Sequence, residues 1–141
     1  MAEWKEQVQI PAGNMVSCNI YGTIREPRCW SPEHPDLYGM ETWYETTDED
    51  GKKISYLADT QKVGIRVAEF DADRGFFLNG VPMKIKGVCV HHDAGCLGAA
   101  VTKEVWHRRF AKLKECGCNA IRCSHNPHMP ELYELCDTMG F

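Results

Sequence analysis

The sequence predicts a chain of two parts: an antiparallel β-sandwich over residues 1–70, then strands alternating with helices over residues 71–141 that imply a parallel sheet. Three observations carry this expectation. Up to about residue 70, short apolar stretches are separated by Pro, Gly and acidic turns. Around Phe70-Asp71-Ala72-Asp73-Arg74-Gly75 the pattern changes, and the domain boundary is placed in that polar stretch. Beyond it, apolar residues recur at helical spacing between short apolar runs.

In the first part the expected strands fall at Gln7–Ile10, Met15–Tyr21, Leu37–Tyr44, Ile54–Leu57 and Val63–Phe70. Thr46-Thr47-Asp48-Glu49-Asp50-Gly51 ends in Asp-Gly between two of them and reads as a hairpin turn. In the second part Phe76–Leu78 and Val81–Lys86 flank Asn79-Gly80, the strongest hairpin signal in the chain, because both residues tolerate positive φ. The second of these strands is expected to run on through Gly87-Val88-Cys89-Val90. A helix should start behind the N-cap Thr102, bury Trp106, Phe110 and Leu113, and stop at Gly117. A buried strand follows at Asn119–Cys123, and Pro130 opens a helix whose Leu132, Leu135, Cys136 and Met139 share one face up to Gly140. The chain stops where a third strand of such a repeat would begin, so a fragment is expected.

Composition narrows the function classes. Hydrophobic residues make up 43% and charged residues 26%, which fits a globular chain and argues against disorder and fibrous repeats. The net charge is -4 and no basic cluster exceeds Arg108-Arg109, so a nucleic-acid partner is not expected. No apolar run approaches the roughly 18 residues of a membrane span, so no membrane partner is expected either. Glu3, Lys5 and Glu6 interrupt any leader-like stretch, which makes the cytoplasm the default compartment. The eight cysteines sit mostly within apolar periodic segments and are expected to be reduced and buried. The pair Cys116-Gly117-Cys118 lacks the spacing of a zinc site, and no metal ligands are assigned.

In a βα repeat, polar residues that follow the strands collect at one end of the sheet, where ligands bind. Two such clusters occur: His91-His92-Asp93 and Arg122-Cys123-Ser124-His125-Asn126. Histidines, an arginine, a carboxylate, a hydroxyl and an amide are the donors and acceptors that hold a ligand with many hydroxyl groups, such as a sugar. Taken alone, solvated histidines and an arginine paired for structural reasons would explain the same residues.

Asn119-Ala120-Ile121-Arg122-Cys123-Ser124-His125-Asn126-Pro127, with Leu132-Tyr133, Asp137 and Gly140-Phe141, resembles the first signature of the family 2 glycoside hydrolases, which include β-galactosidases, β-glucuronidases and β-mannosidases. Further segments resemble that family in the same order: Arg28–Tyr38, Gly64-Ile65-Arg66, Gly75–Gly80, and Lys86-Gly87-Val88 with His91. Many family members carry tyrosine where this chain has Asn126. The resemblance implies an immunoglobulin-like β-sandwich over 1–70, and over 71–141 the first two βα units of a (β/α)8 TIM barrel. It implies that His91 and His125 lie beside the sugar and Arg122 near the nucleophilic carboxylate, with Asp93 and Asn126 as neighbouring substrate-binding residues.

The stretch Val88–Ala100 looks more like bacterial β-galactosidases, so the resemblance implies a fragment of a retaining hydrolase of terminal β-D-galactosides. A β-glucuronidase-type member of the family and a non-catalytic carbohydrate-binding or structural module are the alternatives; a cysteine-based metal or redox protein is a third. By the same resemblance, the acid/base and nucleophile glutamates lie beyond Phe141, so no catalytic residue is expected within the chain, whose isolated form should be inactive. The family's magnesium ligands also fall outside, so no cofactor is expected in this segment. The implied partners are the β-galactoside and the rest of the enzyme chain, with a homo-oligomer as the possible full-length state.

Overall fold

The computed structural model describes residues 2–141; Met1, where the expected first domain and the leader reading begin, lies outside the described residues. Residues 2–37 contain no strand or helix, so the strands expected at Gln7–Ile10 and Met15–Tyr21 do not form. An apolar stretch becomes a strand only where a ladder partner satisfies its backbone, and none pairs with these two. Instead Pro11 opens a turn closed by Asn14 N–H on its carbonyl, and Met15 and Tyr21 stand 94% and 83% exposed.

The first sheet is a hairpin of β1 (Tyr38–Thr47) and β2 (Lys53–Val63), both longer than the apolar stretches that announced them. Its turn is the expected one: Asp48 Oδ1 accepts from the N–H groups of Asp50 and Lys52, and Gly51 takes φ +79. Among the described residues the strands within 1–70 are this hairpin and the start of β3 (Ala68–Asp71), which belongs to a separate sheet, so the sandwich expected for 1–70 is not formed there. The stretch Val63–Phe70 is divided, because Gly64 passes so close to Trp30 that a Cβ would lie 3.1 Å from the indole.

The second sheet holds β3 (Ala68–Asp71), β4 (Gly75–Leu78) and β5 (Val81–Pro82). The polar stretch around Asp71 is the β3–β4 turn, pinned by Asp71 carboxylate bonds to the backbone and guanidinium of Arg74. Leu78 opposes Val81 across Asn79 (φ +53) and Gly80 (φ +77), the expected tight hairpin. The strand after this turn does not continue unbroken to Val90. Asn119 takes the place of a ladder: its amide accepts from Lys86 N–H at 2.7 Å and donates to the Lys84 carbonyl at 3.0 Å.

The third sheet pairs β6 (Gly87–Val90) with β7 (Ala120–Cys123) in parallel, as the alternation of strands and helices predicts. A short 3-10 turn at Gly95–Leu97 and helix α1 (Lys103–Glu115) connect them, and α2 (Pro130–Met139) follows β7. Thr102 holds the N-cap position of α1, and Trp106 and Phe110 are buried. At its other end Gly117 N–H reaches Lys114 O and Cys118 N–H reaches Leu113 O, the paired bonds that close a helix through a left-handed glycine. Val90, Val101, Trp106, Phe110, Leu132 and Leu135 form the core, with Val88, Ile121, Cys123 and Cys136 packed against it.

The segments before β6 are tied to this layer through Trp30, 4% exposed. Its N–H donates to Ile65 O, its carbonyl accepts from Asn79 Nδ2, Arg66 lies over its ring, and its indole N–H donates to Asp137 O in α2 at 2.8 Å. Lys114 Nζ donates to the carbonyls of Pro32 and Gly140. Arg28–Tyr38, Gly64–Arg66 and Gly75–Gly80 thus meet at one packing point. All eight cysteines are free, but none is fully buried and Cys18, Cys89, Cys96 and Cys116 are exposed. The expectation of buried thiols fails because these four lie in irregular segments, at a helix end, or on the open face of β6.

Candidate functional site

The site is set by strand alternation. Val88 and Val90 of β6 and Ile121 and Cys123 of β7 pack toward the helices, so Cys89 and Arg122, one step out of phase and directly paired in register, face the other way. On that face Arg122 Nη1 donates to Ser124 Oγ at 2.9 Å and approaches Cys89 Sγ at 3.6 Å. Ser124 is 3% exposed, which fixes the acceptor and with it the guanidinium. Hydrogen bonds from Ser124, then Arg122, hold the Cys89 thiol below the ordinary cysteine value, because both stabilise the thiolate.

Just beyond the two strands, one residue past β6 and two past β7, His91 and His125 come together edge to face, with ring centroids 5.9 Å apart. The Ser124–His125 peptide is cis. Both imidazoles are exposed. Two of the five expected residues, His91 and His125, therefore meet, while Arg122 is held on β7 by Ser124, the residue before His125. Asn126 is exposed on the same loop, with no side-chain hydrogen bond among the described residues. Asp93 is drawn elsewhere: its carboxylate pairs at 3.8 Å with Arg109 of α1, which itself lies over the Trp106 ring.

Four residues outside the expected substrate-binding set belong to this end. Ser124 and His92 lie within the two strand-end clusters already singled out, and Cys89 lies two positions from His91 on the same face. His128 carries no such signal. His128 is 7% exposed, stacked parallel on His92 at 3.8 Å and edge-on to Trp106 at 5.4 Å. Its backbone N–H donates to the Tyr133 hydroxyl, while its Nε2 is buried with no partner. Burial first, then the neighbouring His92 and His91, pushes its imidazole below the ordinary histidine value, against a hydrogen bond with the Val90 backbone.

Among the described residues no group of three His, Cys, Asp or Glu side chains is placed to hold a metal ion. The residues present do not fit the magnesium that the resemblance implies for a longer chain.

The family model described as glycosyl hydrolases family 2, TIM barrel domain, matches residues 71–141, half of the chain. The chain belongs to glycosyl hydrolase family 2. Family 2 relatives extend the likeness over the first part as well. A β-galactosidase of Bacteroides ovatus is 45% identical over all 141 residues, which are 16% of that protein, and a β-glucuronidase of Bacteroides fragilis is 36% identical over 83% of this chain and 16% of its own length. Among solved structures, the β-glucuronidase of Bacteroides uniformis superposes with a TM-score of 0.74 at 38% identity, covering 86% of this chain and 14% of that one. A β-glycosidase from Bacteroides vulgatus gives 0.71 at 45% identity, covering 86% and 15%. The chain thus spans about one sixth of the length of these family 2 proteins.

Proposed function

We propose that these residues are the portion of a retaining glycoside hydrolase that contributes its first two barrel βα units, and that the enzyme removes terminal β-D-galactosyl groups. The observation that carries this reading is the edge-to-face meeting of His91 and His125 just past the carboxyl ends of two parallel strands, with Arg122 held by Ser124 on one of them. In parallel barrels that end binds substrate. The two imidazoles supply donors and acceptors for sugar hydroxyls, whose positions shift as the ring flattens toward an oxocarbenium ion. Contacts that strengthen during that change lower the barrier. Arg122, anchored by Ser124, places a fixed positive charge where a carboxylate of the remaining chain, or of a substrate, would be stabilised.

Galactoside is the first substrate because the relative identical at 45% over the whole chain carries that name. A β-glucuronide is the second reading, favoured by the Arg122 guanidinium, which has no carboxylate partner among the described residues and could meet a sugar acid. The test is turnover of aryl β-galactoside against aryl β-glucuronide by the longer enzyme, wild type and with His91→Ala or His125→Ala. The expected result is a preference for galactoside and a loss of kcat on the order of 10²-fold in each variant, with the fold retained. Preference for glucuronide selects the second reading. Sugar binding without turnover of either substrate points to a binding module, and unchanged kcat in both variants overturns the site.

A further inference from the structure

His92 and His128 are not among the residues that face the sugar site, yet they join its two halves. His92 belongs to the loop after β6 that carries His91, and His128 to the loop after β7 that carries His125. Their rings overlap face to face, 3.8 Å apart and 4° from parallel. The Trp106 edge closes the far side of His128, and Tyr133 of α2 holds its backbone N–H. With His91–His125, the His92–His128 stack is one of two ring contacts that join these loops among the described residues.

The surroundings decide which protonation state the stack accepts. From the β6 side His92 stacks on His128 and His91 is near enough to oppose a charge, from its own loop His125 meets His91 edge to face, and from α2 comes the Tyr133 hydroxyl. From α1 it meets Trp106, whose ring lies under the Arg109 guanidinium; the nearby carboxylate, Asp93, is paired with that Arg109. A proton on the buried Nε2 would have no acceptor and would add a positive charge beside two histidines and near an arginine.

We propose that His92 and His128 are a stacked positioning pair, which locks the loop after β6 to the loop after β7, sets the gap between His91 and His125, and holds only while the buried His128 ring is uncharged. The inference rests on the sugar-site reading above. Its sign follows from His128, whose proton affinity is lowered in the stack. Stabilisation of the lock is fully present above the ordinary histidine pKa and is lost as pH falls from there through the lowered value.

The experiment uses the longer enzyme as wild type, His128→Phe, His92→Phe and His128→Ala. Two quantities are read: the pH profile of kcat/KM on the aryl glycoside it turns over, and the pKa of each histidine from deuterium exchange at the imidazole C2 position by mass spectrometry. His128→Phe keeps a flat ring that cannot take a proton, so the acid limb should move to lower pH by about half a unit or more. In His92→Phe the stacked imidazole that disfavours a proton on His128 is gone, and the His128 pKa should rise. His128→Ala removes the ring, and kcat/KM should fall about tenfold at every pH as His91 and His125 lose their spacing. An acid limb unmoved in His128→Phe overturns the proposal. So does a His128 that titrates in the wild type at or above the ordinary histidine value, a readout independent of turnover. If no glycoside is hydrolysed, the sugar-site reading fails, and the exchange data still decide whether the stack excludes a proton.

Discussion

On the open face of β6 and in α2 the same side-chain type meets opposite fates according to its neighbours. Cys89 is exposed and lies beside Ser124 and Arg122, which favour its thiolate, whereas burial, then nearby Cys123 and Asp137, pushes the Cys136 thiol up to about 12. Because the thiolate is the nucleophile, Cys89 should be alkylated by a maleimide at lower pH and faster than Cys136 in native protein, with the rate rising as pH climbs toward its lowered pKa. Peptide mapping after timed alkylation across a pH series checks this, and preferential labelling of Cys136 would contradict the arrangement around Arg122. The placement of His91, Arg122 and His125 at strand ends was legible from the run of strands and helices, whereas singling them out as sugar-facing rested on the family resemblance. Asp93 was legible only as a residue type: its partner Arg109 lies on a helix 16 positions further along the chain. His128 was not legible, because its burial arises from stacking on His92, 36 positions earlier.

Helix ends show how one residue type serves two purposes. Gly117 and Gly140 both follow a helix in the left-handed region, at φ +79 and +75. A Cβ on Gly117 would meet nothing within 4 Å, while one on Gly140 would lie 2.2 Å from the Pro32 carbonyl oxygen. Gly117→Ala should therefore cost about 1 kcal/mol from backbone strain alone, and Gly140→Ala about 2–4 kcal/mol because the Pro32 segment must also move. Thermal midpoints of the two variants test the ranking, and equal losses would show that the Pro32 segment yields freely. Both helices were legible, since Trp106 with Phe110 and Leu132 with Leu135 recur at helical spacing and glycines mark their ends. Strands were legible where a tight turn fixed the partner, as at Asn79-Gly80 and Asp50-Gly51. They were misread at Gln7–Ile10 and Met15–Tyr21, where nothing local says whether a partner exists, and at Lys84–Lys86, where a side-chain amide from 33 to 35 positions away replaces the ladder.

Across the whole molecule, burial is concentrated in one half. Six of the core residues, from Val90 to Leu135, lie between β6, α1 and α2. The β1–β2 hairpin instead leaves Met40, Trp43, Tyr44, Tyr56 and Leu57 about half exposed. β6 and β7 pair only with each other among the described residues, and an open hollow of about 600 Å³ lined by Val88, Val90, Trp106, Arg109 and Leu113 runs along the β6 side. Open edges and uncovered apolar faces favour association. Chemistry is short of parts in the same way. A retaining hydrolase needs two carboxyl groups about 5–5.5 Å apart, and the strand ends from Gly87 to Asp93 and from Ala120 to Met129 carry only Asp93, which is paired with Arg109. These 141 residues by themselves should therefore sediment as oligomers or aggregates and release no nitrophenol from aryl β-galactoside or β-glucuronide above a boiled control. A monodisperse monomer with a sharp melt would show that the hairpin and strand edges need no cover. Reproducible turnover by the pure chain would mean that groups other than a carboxylate pair, His91 and His125 foremost, carry the proton and the nucleophile.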